Sequence, residues 1–419
     1  NHFKVTYILA ILLTVSCCKE DTPAFITDSE GAIISKTYYW KTSLLGSNSN
    51  NFGYIYFPAI HNGNIVVFSN EDNGCLRMIE VSTGKFKWTW SDIFPNTPGN
   101  DYQILHHYSY GNLMTWGIGK RSYCINLENG STQWRVIRDY TFHPTIWGKQ
   151  NIYFTTGYSN NFLDIEIKIG YKGNLVTGEI EEFLIPDFSF EHSIAGRCCD
   201  VTEMIPFEVD GVPHLAVVYQ ELRSSEVWNF QSFLGLYNLN TEEWVYDRKI
   251  MNEPNLYGVS LAPPVIYNGK FYANIGKELV CHDLTTGERV WKRAFEQDFM
   301  FSGFIIEDGM LLANCEDTYT YRLDPLTGAT IWRTKGAGTC SRMSYLNGVV
   351  YFVGGSTGFL HALDAETGRV LWRIDARRLG EPNGNFTTNA VYCIPGEGGA
   401  RDRVVALTGR YAYCFEAAR

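Results

Sequence analysis

The stretch HALDAETGRVLW, His361–Trp372, decides the fold, because partly degraded copies of it recur along the chain. Four other copies are clear: MIEVSTGKFKW (78–88), CINLENGSTQW (124–134), CHDLTTGERVW (281–291) and YRLDPLTGATIW (321–332). In each copy a glycine precedes the tryptophan by four positions. Two weaker copies, GNLVTGEIEEF (173–183) and LYNLNTEEWVY (236–246), fill the gap between the second and third of these. The chain therefore contains seven repeats, most of them about 40 to 50 residues apart.

The repeated phrase predicts a strand, a tight turn and a second strand. The glycine supplies the positive φ that the turn requires, and the upstream Asp or Asn can accept hydrogen bonds from the turn backbone. The tryptophan lies on the second strand, where its burial removes roughly 150–250 Å² from water, or about 4–6 kcal/mol. One such residue per repeat indicates equivalent units sealed by aromatic side chains. The predicted sealing residues are Trp40, Trp88, Trp134, Tyr246, Trp291, Trp332 and Trp372.

Two further short strands precede each phrase. SRMSYLNGVVYFVGGSTG (341–358) reads as a strand, an Asn-Gly turn and a strand, and segments 57–74 and 262–278 repeat the plan. Asn-Gly pairs at 62–63, 268–269 and 347–348 favour two-residue hairpin turns. Each unit is therefore predicted to be a four-stranded antiparallel sheet, which has the size and pattern of a propeller blade.

The number of blades follows from the two ends of the chain. After Trp372 only three strands remain, and the missing fourth strand is AIISKTYYWKTSLL (32–45), which carries Trp40. We therefore expect an all-β, eight-bladed β-propeller over residues 32–419 whose last blade is closed by the N-terminal strand. Such closure leaves no exposed sheet edge at that point of the ring.

The phrase resembles the repeat of the PQQ-like, quinoprotein-type β-propellers, whose consensus is close to LYALDAETGKxxW. The resemblance covers nearly the whole chain after residue 32 and implies eight blades. It is specific in repeats five to seven and degraded in repeats three and four. The family includes BamB-type outer-membrane assembly lipoproteins and PQQ-dependent dehydrogenases, so the resemblance alone does not assign a function.

The N-terminal stretch NHFKVTYILAILLTVSCCKED has one lysine, an apolar run over 7–15 and then Ser-Cys-Cys. The run has the length of a signal-peptide core and is too short to span a bilayer. A small residue before cysteine resembles a lipobox, which implies acylation of Cys17, or of Cys18. An ordinary secretory peptide is the alternative. We expect a lipoprotein signal peptide over 1–17, a flexible tether over 18–31, and a protein anchored by lipid in the outer membrane, on its periplasmic or cell-surface face.

Charge and cysteine usage limit the partners. The net charge of −10 argues against a nucleic-acid partner. No cysteine or histidine spacing is typical of a metal site, so we expect no metal. Cys124, Cys281 and Cys414 occupy the position of Ala362 in the repeat and are predicted to be buried packing residues.

The adjacent pair Cys198-Cys199 is the strongest chemical motif. With Asp200 and Val201 it resembles the adjacent-cysteine motif of PQQ-dependent alcohol dehydrogenases, which implies a vicinal disulfide against PQQ with calcium. The following Thr-Glu-Met departs from that motif. We favour a structural pair in a loop, and we expect no bound cofactor.

The long inter-blade loops give a second kind of site. They cover 91–107, 185–200, 251–263, 296–303 and 375–389 and are rich in aromatic residues. In a propeller such loops gather on one face around the channel, and functional residues favour loops on a rigid scaffold. The predicted binding face consists of Phe94, Tyr102, His107, Phe188, Phe190, His192, Arg197, Tyr257, Phe299, Phe301, Arg378 and Phe386.

Three functions are compatible with this pattern. We favour a monomeric, non-catalytic scaffold that binds another envelope protein in an outer-membrane complex, as BamB-type lipoproteins would imply. The alternatives are a PQQ-dependent dehydrogenase and a surface glycan-binding module, the latter suggested by the aromatic loops.

Overall fold

The computed structural model describes residues 25–45, 54–69, 75–95, 103–139, 141–162, 165–185, 200–224, 229–254, 262–297, 303–336, 338, 340–381 and 384–419. Their strands form eight blades, each of which contains four antiparallel strands, and this confirms the eight-bladed propeller. Within this part of the chain, no helix has the length and apolar character needed to cross a bilayer.

The N-terminal segment and the first half of the ring run as follows. The N-terminal segment gives β1 (Phe25–Thr27), β2 (Ile33–Lys36), β3 (Trp40–Ser43) and β4 (Tyr54–Ile55). Blade 1 is β5 (Ala59–His61), β6 (Asn64–Ser69), β7 (Cys75–Ile79) and β8 (Phe86–Trp90), and β9 (Gln103–Ile104) pairs with β4. Blade 2 is β10 (His107–Tyr110), β11 (Leu113–Ile118), β12 (Arg121–Asn126) and β13 (Thr132–Ile137). Blade 3 is β14 (Thr141–Lys149), β15 (Ile152–Phe162), β16 (Ile165–Asn174) and β17 (Ile180–Leu184). Blade 4 is β18 (Asp200–Val209), β19 (Val212–Ser224), β20 (Asn229–Asn238) and β21 (Glu243–Ile250).

The second half is more regular. Blade 5 is β22 (Val265–Tyr267), β23 (Lys270–Ile275), β24 (Glu278–Asp283) and β25 (Arg289–Ala294). Blade 6 is β26 (Phe304–Glu307), β27 (Met310–Asn314), β28 (Tyr319–Leu323) and β29 (Thr330–Lys335). Blade 7 is β30 (Ser344–Leu346), β31 (Val349–Val353), β32 (Leu360–Asp364) and β33 (Val370–Ile374), followed by a 3₁₀ helix (Ala376–Leu379). Blade 8 is β34 (Tyr392–Ile394), β35 (Arg403–Leu407), β36 (Tyr411–Glu416) and β3.

The turns have the geometry that their residues predict. Asn268 and Gly269 have φ values of 47° and 68°, which are the left-handed values that a type I′ hairpin requires of both central residues. In the turn between β24 and β25, Asp283 accepts hydrogen bonds from the backbone N–H groups of Thr285 and Thr286 at 3.1 and 3.0 Å. Gly287 then takes a φ of 72°. The Asp, Thr and Gly of the repeat are thus explained by one turn.

Each repeat tryptophan packs across a blade boundary. The Trp88 indole N–H of blade 1 donates to the Leu127 carbonyl of blade 2 at 2.8 Å, and a Cβ on Gly130 would lie 2.7 Å from the indole. We call this pair of contacts the latch. The six latches join Trp40 to Gly84, Trp88 to Gly130, Trp134 to Gly178, Tyr246 to Gly287, Trp291 to Gly328, and Trp332 to Gly368. Glycine is needed at this position for two reasons: the backbone has a positive φ, and the aromatic ring that lies on it leaves no room for a Cβ.

The small-residue position of the repeat is the cross-strand partner of this tryptophan. Cys124 pairs with Trp134, Cys281 with Trp291, and Cys414 with Trp40. All three cysteines are buried and free. Their prediction as packing residues is confirmed.

The N-terminal segment closes the ring. Trp40 of β3 pairs with Cys414 of β36, so β3 is the outermost strand of blade 8, as the sequence predicts. Before it, β2 pairs in parallel with β33 through Ile33 and Trp372, and Lys36 donates to the Glu416 carbonyl at 2.8 Å. The segment therefore clasps blades 7 and 8 together, and no latch is described between these two blades.

The boundary of the tether has to be corrected. The tether was predicted to continue to residue 31, but Phe25–Thr27 forms β1, which pairs antiparallel with β2. The Asp28 carboxylate accepts from the N–H groups of Glu30 and Ala32, both at 2.9 Å, and so stabilises the turn between these strands. Folded structure begins by residue 25. The expected signal peptide lies outside the described residues.

Candidate functional site

A cavity of about 530 Å³ lies on the axis of the ring. Its walls come from the innermost strands of blades 3 to 6 and from residues directly before the innermost strands of blades 1, 5, 6 and 7. Trp147, Phe207, Phe304 and the Pro263–Pro264 pair make most of the surface apolar. This size and lining are typical of small-molecule pockets.

One charged side chain, Arg342, contributes to the lining. Burial lowers the pKa of its guanidinium to about 10, so it remains cationic at neutral pH. The guanidinium carbon lies 5.3 Å from the ring centroid of Phe57. The Phe57 ring in turn packs at a tilt against His106, with 4.5 Å between the ring centroids. Burial lowers the pKa of His106 to about 3 and that of His107 to about 4, so both imidazoles are neutral.

A buried polar cluster lies beside the cavity, at the boundary of blades 3 and 4. The Trp147 indole N–H donates to the Glu203 carboxylate at 2.8 Å, and the Lys168 backbone N–H donates to Asp200 at 2.8 Å. Burial raises the pKa of Glu203 and lowers that of Lys168, while the opposite charges of the cluster counteract both effects. The tryptophan position of blade 3 holds the exposed Glu182 instead of an aromatic residue. This polar cluster joins blade 3 to the innermost strand of blade 4, and at the same boundary Phe183 packs edge-on against Tyr237 of blade 4.

The described lining of the cavity lacks groups that would hold PQQ with calcium. PQQ is a planar quinone with three carboxylates, and its calcium requires oxygen ligands. The described lining supplies one guanidinium and neither a carboxylate nor a side-chain amide. Among the residues that the structure describes, no three His, Cys, Asp or Glu side chains form a potential metal site.

Four residues of the predicted binding face are described. Phe94 is half-buried: its N–H donates to the Tyr123 hydroxyl at 3.3 Å, and Arg135 lies 4.7 Å over its ring. Arg378 is exposed on the 3₁₀ helix. The other eight lie outside the described residues, namely Tyr102, Phe188, Phe190, His192, Arg197, Tyr257, Phe299 and Phe301. So do Cys17, Cys18, Cys198 and Cys199.

Two residues of the predicted face are placed differently. Phe386 is only 3% exposed and packs edge-on against Tyr413 and Phe415, so its assignment to a binding face is wrong. The loop that carries Phe386 folds over blade 8 and uses the ring to fill its core. His107 begins the innermost strand of blade 2, and its Nε2 lies 3.4 Å from the Phe57 carbonyl, so it belongs to the channel wall and not to a loop surface.

The structure adds a feature that the sequence prediction missed. Blades 2, 3 and 4 each expose an isoleucine at or next to the end of the outermost strand: Ile137 (62% exposed), Ile185 (53%) and Ile250 (55%). We call these three residues the apolar rim. Because successive strands alternate in direction, this strand end lies on the side of the inter-blade loops.

The apolar rim is specific to these three blades. Three residues after the tryptophan position, blades 2 and 3 carry Ile137 and Ile185, and blade 4 carries Lys249 with Ile250 one residue later. At the same position the other blades carry small or polar residues: Ser43, Ser91, Ala294, Lys335 and Asp375. Aligning the repeats would have shown an isoleucine three residues after the tryptophan position in blades 2 and 3, and four residues after it in blade 4.

Comparisons with known proteins agree with this architecture. The family model described as "Outer membrane protein assembly factor BamB" matches residues 247–334 and 316–410. The outer membrane protein assembly factor BamB of Shewanella oneidensis is 29% identical over 120 residues, which is 29% of this chain and 23% of that protein. The match thus spans about a quarter of the length of the curated relative.

Solved structures share the fold at low identity. BamB from Moraxella catarrhalis superposes with a TM-score of 0.55 and 11% identity, over 91% of this chain and 97% of that one. The quinohemoprotein alcohol dehydrogenase of Comamonas testosteroni gives a TM-score of 0.60 and 10% identity, over 91% and 76%. The fold and the repeats define the class: this chain is an eight-bladed β-propeller of PQQ-like repeats. Within that class, residues 247–410 are similar in sequence to outer membrane protein assembly factor BamB.

Proposed function

We propose that this protein is a non-catalytic scaffold of the outer membrane that binds another envelope protein through the apolar rim and the adjoining inter-blade loops. The observation that carries the proposal is the row of exposed isoleucines on three successive blades, on the loop side of the ring. Exposed apolar residues grouped at one place are typical of protein-binding surfaces. The sequence similarity to an outer membrane protein assembly factor supports a role in outer-membrane assembly.

The ring suits this role because its blades are fixed to each other. The latches join rigid sheets, so that the loops between them are presented on a stable support. A preorganised surface loses little conformational entropy when a partner binds. At roughly 25 cal/mol per Å², covering the exposed part of each isoleucine contributes about 1 to 2 kcal/mol.

The lipid anchor is part of the proposal. Acylation of Cys17, or of Cys18, would attach the chain to the outer membrane and confine its search for a partner to that surface. The support is the apolar run over 7–15 followed by Ser-Cys-Cys. The propeller acts as a monomer on this anchor.

The absence of catalysis is proposed from the axial cavity. The structural neighbour that is a quinohemoprotein alcohol dehydrogenase shares the fold, but the cavity of this chain offers a single cation to a quinone with three carboxylates. Incubation with PQQ and calcium, followed by a dye-reduction assay with alcohols, should give no turnover above that of protein alone. Turnover that depends on PQQ would reverse this part of the proposal.

The binding role is tested by changing the apolar rim. The variant Ile137→Asp/Ile185→Asp/Ile250→Asp adds charge at exposed positions, so the fold should be preserved. Its matched control, Val290→Asp/Ile331→Asp, changes two equally exposed residues on the outermost strands of blades 5 and 6. In cells that lack the native gene, the wild type and the control should restore the amount of folded outer-membrane protein, and the rim variant should not. Equal restoration by both variants would contradict the proposal, and binding of polysaccharide in titration calorimetry would favour the glycan alternative.

A further inference from the structure

We infer that the outer edge of blade 7 lies against the membrane surface, where Phe25 and Ile26 of β1 enter the lipid headgroup region. This inference rests on the lipid anchor of the proposed function. It adds an orientation and a second membrane contact that the anchor alone does not require.

The first observation is an apolar strand at the edge of a sheet. Phe25 and Ile26 are 56% and 54% exposed, and β1 is the terminal strand of the six-stranded sheet that extends blade 7. Edge strands of soluble proteins usually carry charges or proline. Here both large side chains are exposed on a strand of three residues at the edge of a sheet, which is typical of a surface that contacts another apolar surface.

The second observation is the groove beside this strand. It has a volume of about 320 Å³ and lies between β1 and the 3₁₀ helix, with Tyr38, Arg378 and Leu379 in its walls. Arg378 is exposed, and the neighbouring carboxylate of Asp375 is paired with Arg377 at 2.8 Å. An arginine next to exposed apolar residues matches the boundary between lipid phosphates and acyl chains.

The third observation is the length of chain before β1. Cys17 and Cys18 precede Phe25 by eight and seven residues, which can span at most about 29 and about 25 Å. An acylated Cys17 or Cys18 therefore keeps β1 within these distances of the bilayer. A tether this short gives an effective concentration in the millimolar range, so even a weak apolar contact would be populated.

The position of β1 on the ring determines how the propeller is oriented on the membrane. β1 lies outside β33, the outermost strand of blade 7, and is therefore on the circumference of the propeller. With this edge on the membrane, the propeller stands upright and neither flat face is covered by lipid. In a ring of eight blades, blade 3 is opposite blade 7. The apolar rim of blades 2 to 4 is then held at the point farthest from the bilayer, where it can reach a partner.

Photo-crosslinking tests this orientation. The full chain, carrying p-benzoylphenylalanine at position 25 or 26, is reconstituted into vesicles of phosphatidylethanolamine and phosphatidylglycerol through its own lipid and then illuminated. The matched control carries the same group at Leu326, which is 72% exposed in a turn of blade 6. Adducts with lipid, counted by mass spectrometry, should be at least tenfold more abundant at 25 and 26 than at 326.

Each other outcome has a definite meaning. Equal lipid adducts at all three positions, or none at 25 and 26 in protein that floats with the vesicles, would overturn the membrane edge and leave the scaffold proposal intact. Adducts with a second protein chain instead of lipid would overturn it as well. Failure of the full chain to float with vesicles would overturn the lipid anchor and this inference together. Failure of the apolar rim variant in cells, by contrast, does not depend on where β1 lies.

Discussion

The boundary between blades 1 and 2 and the boundary between blades 3 and 4 are filled in different ways. At the first, an indole lies on a glycine and donates to a carbonyl of the next blade. At the second, Glu182 occupies the tryptophan position. There the polar cluster of Trp147, Lys168, Asp200 and Glu203 joins the blades near the axis, and Phe183 packs against Tyr237 farther out. At this second boundary Glu182 and Glu242 stand in the tryptophan and glycine positions, so the loss of the latch and the drift of the repeat coincide there.

The regions of the ring around the two boundaries also differ in the surface that they offer to a partner. Blades 5 to 7 carry the repeats that are most easily recognised, and the match to the family model lies within 247–410. Blades 2 to 4 carry the apolar rim. We infer that the regular part of the ring provides stability and that the less regular part provides the binding surface.

Removing a latch should have the largest effect on stability. Trp88→Ala deletes an aromatic side chain that is 8% exposed, and we expect the free energy of unfolding to fall by about 3 to 5 kcal/mol. Glu182→Ala, at the equivalent position of blade 3, should change it by less than about 0.5 kcal/mol because that side chain is exposed. Urea denaturation followed by tryptophan fluorescence measures both. Equal losses would show that the tryptophan position is not where the blades are joined.

Filling the glycine side of a latch should have a smaller effect. Gly130 and Gly63 have φ values of 71° and 68°, so alanine is strained at both. A Cβ on Gly130 would also lie 2.7 Å from the Trp88 ring, whereas a Cβ on Gly63 would meet nothing within 4 Å. We expect Gly130→Ala to destabilise by about 1 to 3 kcal/mol more than Gly63→Ala. Thermal unfolding monitored by circular dichroism would reveal the difference, and identical losses would rule out a steric role for the indole.

Acid should lower the free energy of unfolding through a buried histidine of blade 7. His361 of blade 7 stacks on Phe352, and burial, assisted by Arg373, lowers the pKa of its imidazole to about 4. Between the ordinary pKa near 6.5 and pH 4, the unfolded chain takes up a proton that the folded chain does not. Stability is therefore lost as the pH falls through this window, by about 1.4 kcal/mol per pH unit for each such histidine.

The variant His361→Gln isolates this contribution. It should reduce the slope of unfolding free energy against pH between 6.5 and 4 and leave the slope near pH 7 unchanged. Urea titrations at five pH values provide the slopes. A slope equal to that of the wild type would show that the His361 imidazole is protonated in the folded protein.

Most of the fold could be predicted from the sequence because each phrase of eleven residues carries two latch positions, the glycine of one latch and the tryptophan of the next. Gly287, Trp291 and the Asp283 turn have fixed spacing, and their repetition determines the blade number and the closing role of Trp40. The binding face was harder, because the position of a loop side chain depends on contacts distant in sequence. Phe386 reads as a surface aromatic, yet it fills a gap against Tyr413 and Phe415.

The end of the tether was missed for a related reason. The sequence FIT, Phe25–Thr27, is too short to signal a strand by alternation, and it becomes one only because β2 offers an edge. The apolar rim was missed because single exposed isoleucines are unremarkable until equivalent positions of several blades are compared.

Native-state hydrogen exchange of the peptides that contain β3, β8 and β17 tests most directly the claim that the latches and the N-terminal clasp close the ring. The account predicts that amides of β3 exchange as slowly as those of β8, since both strands carry a latch, and that amides of β17 open at a lower free energy. Rapid exchange of β3, or equal protection of all three strands, would contradict the account.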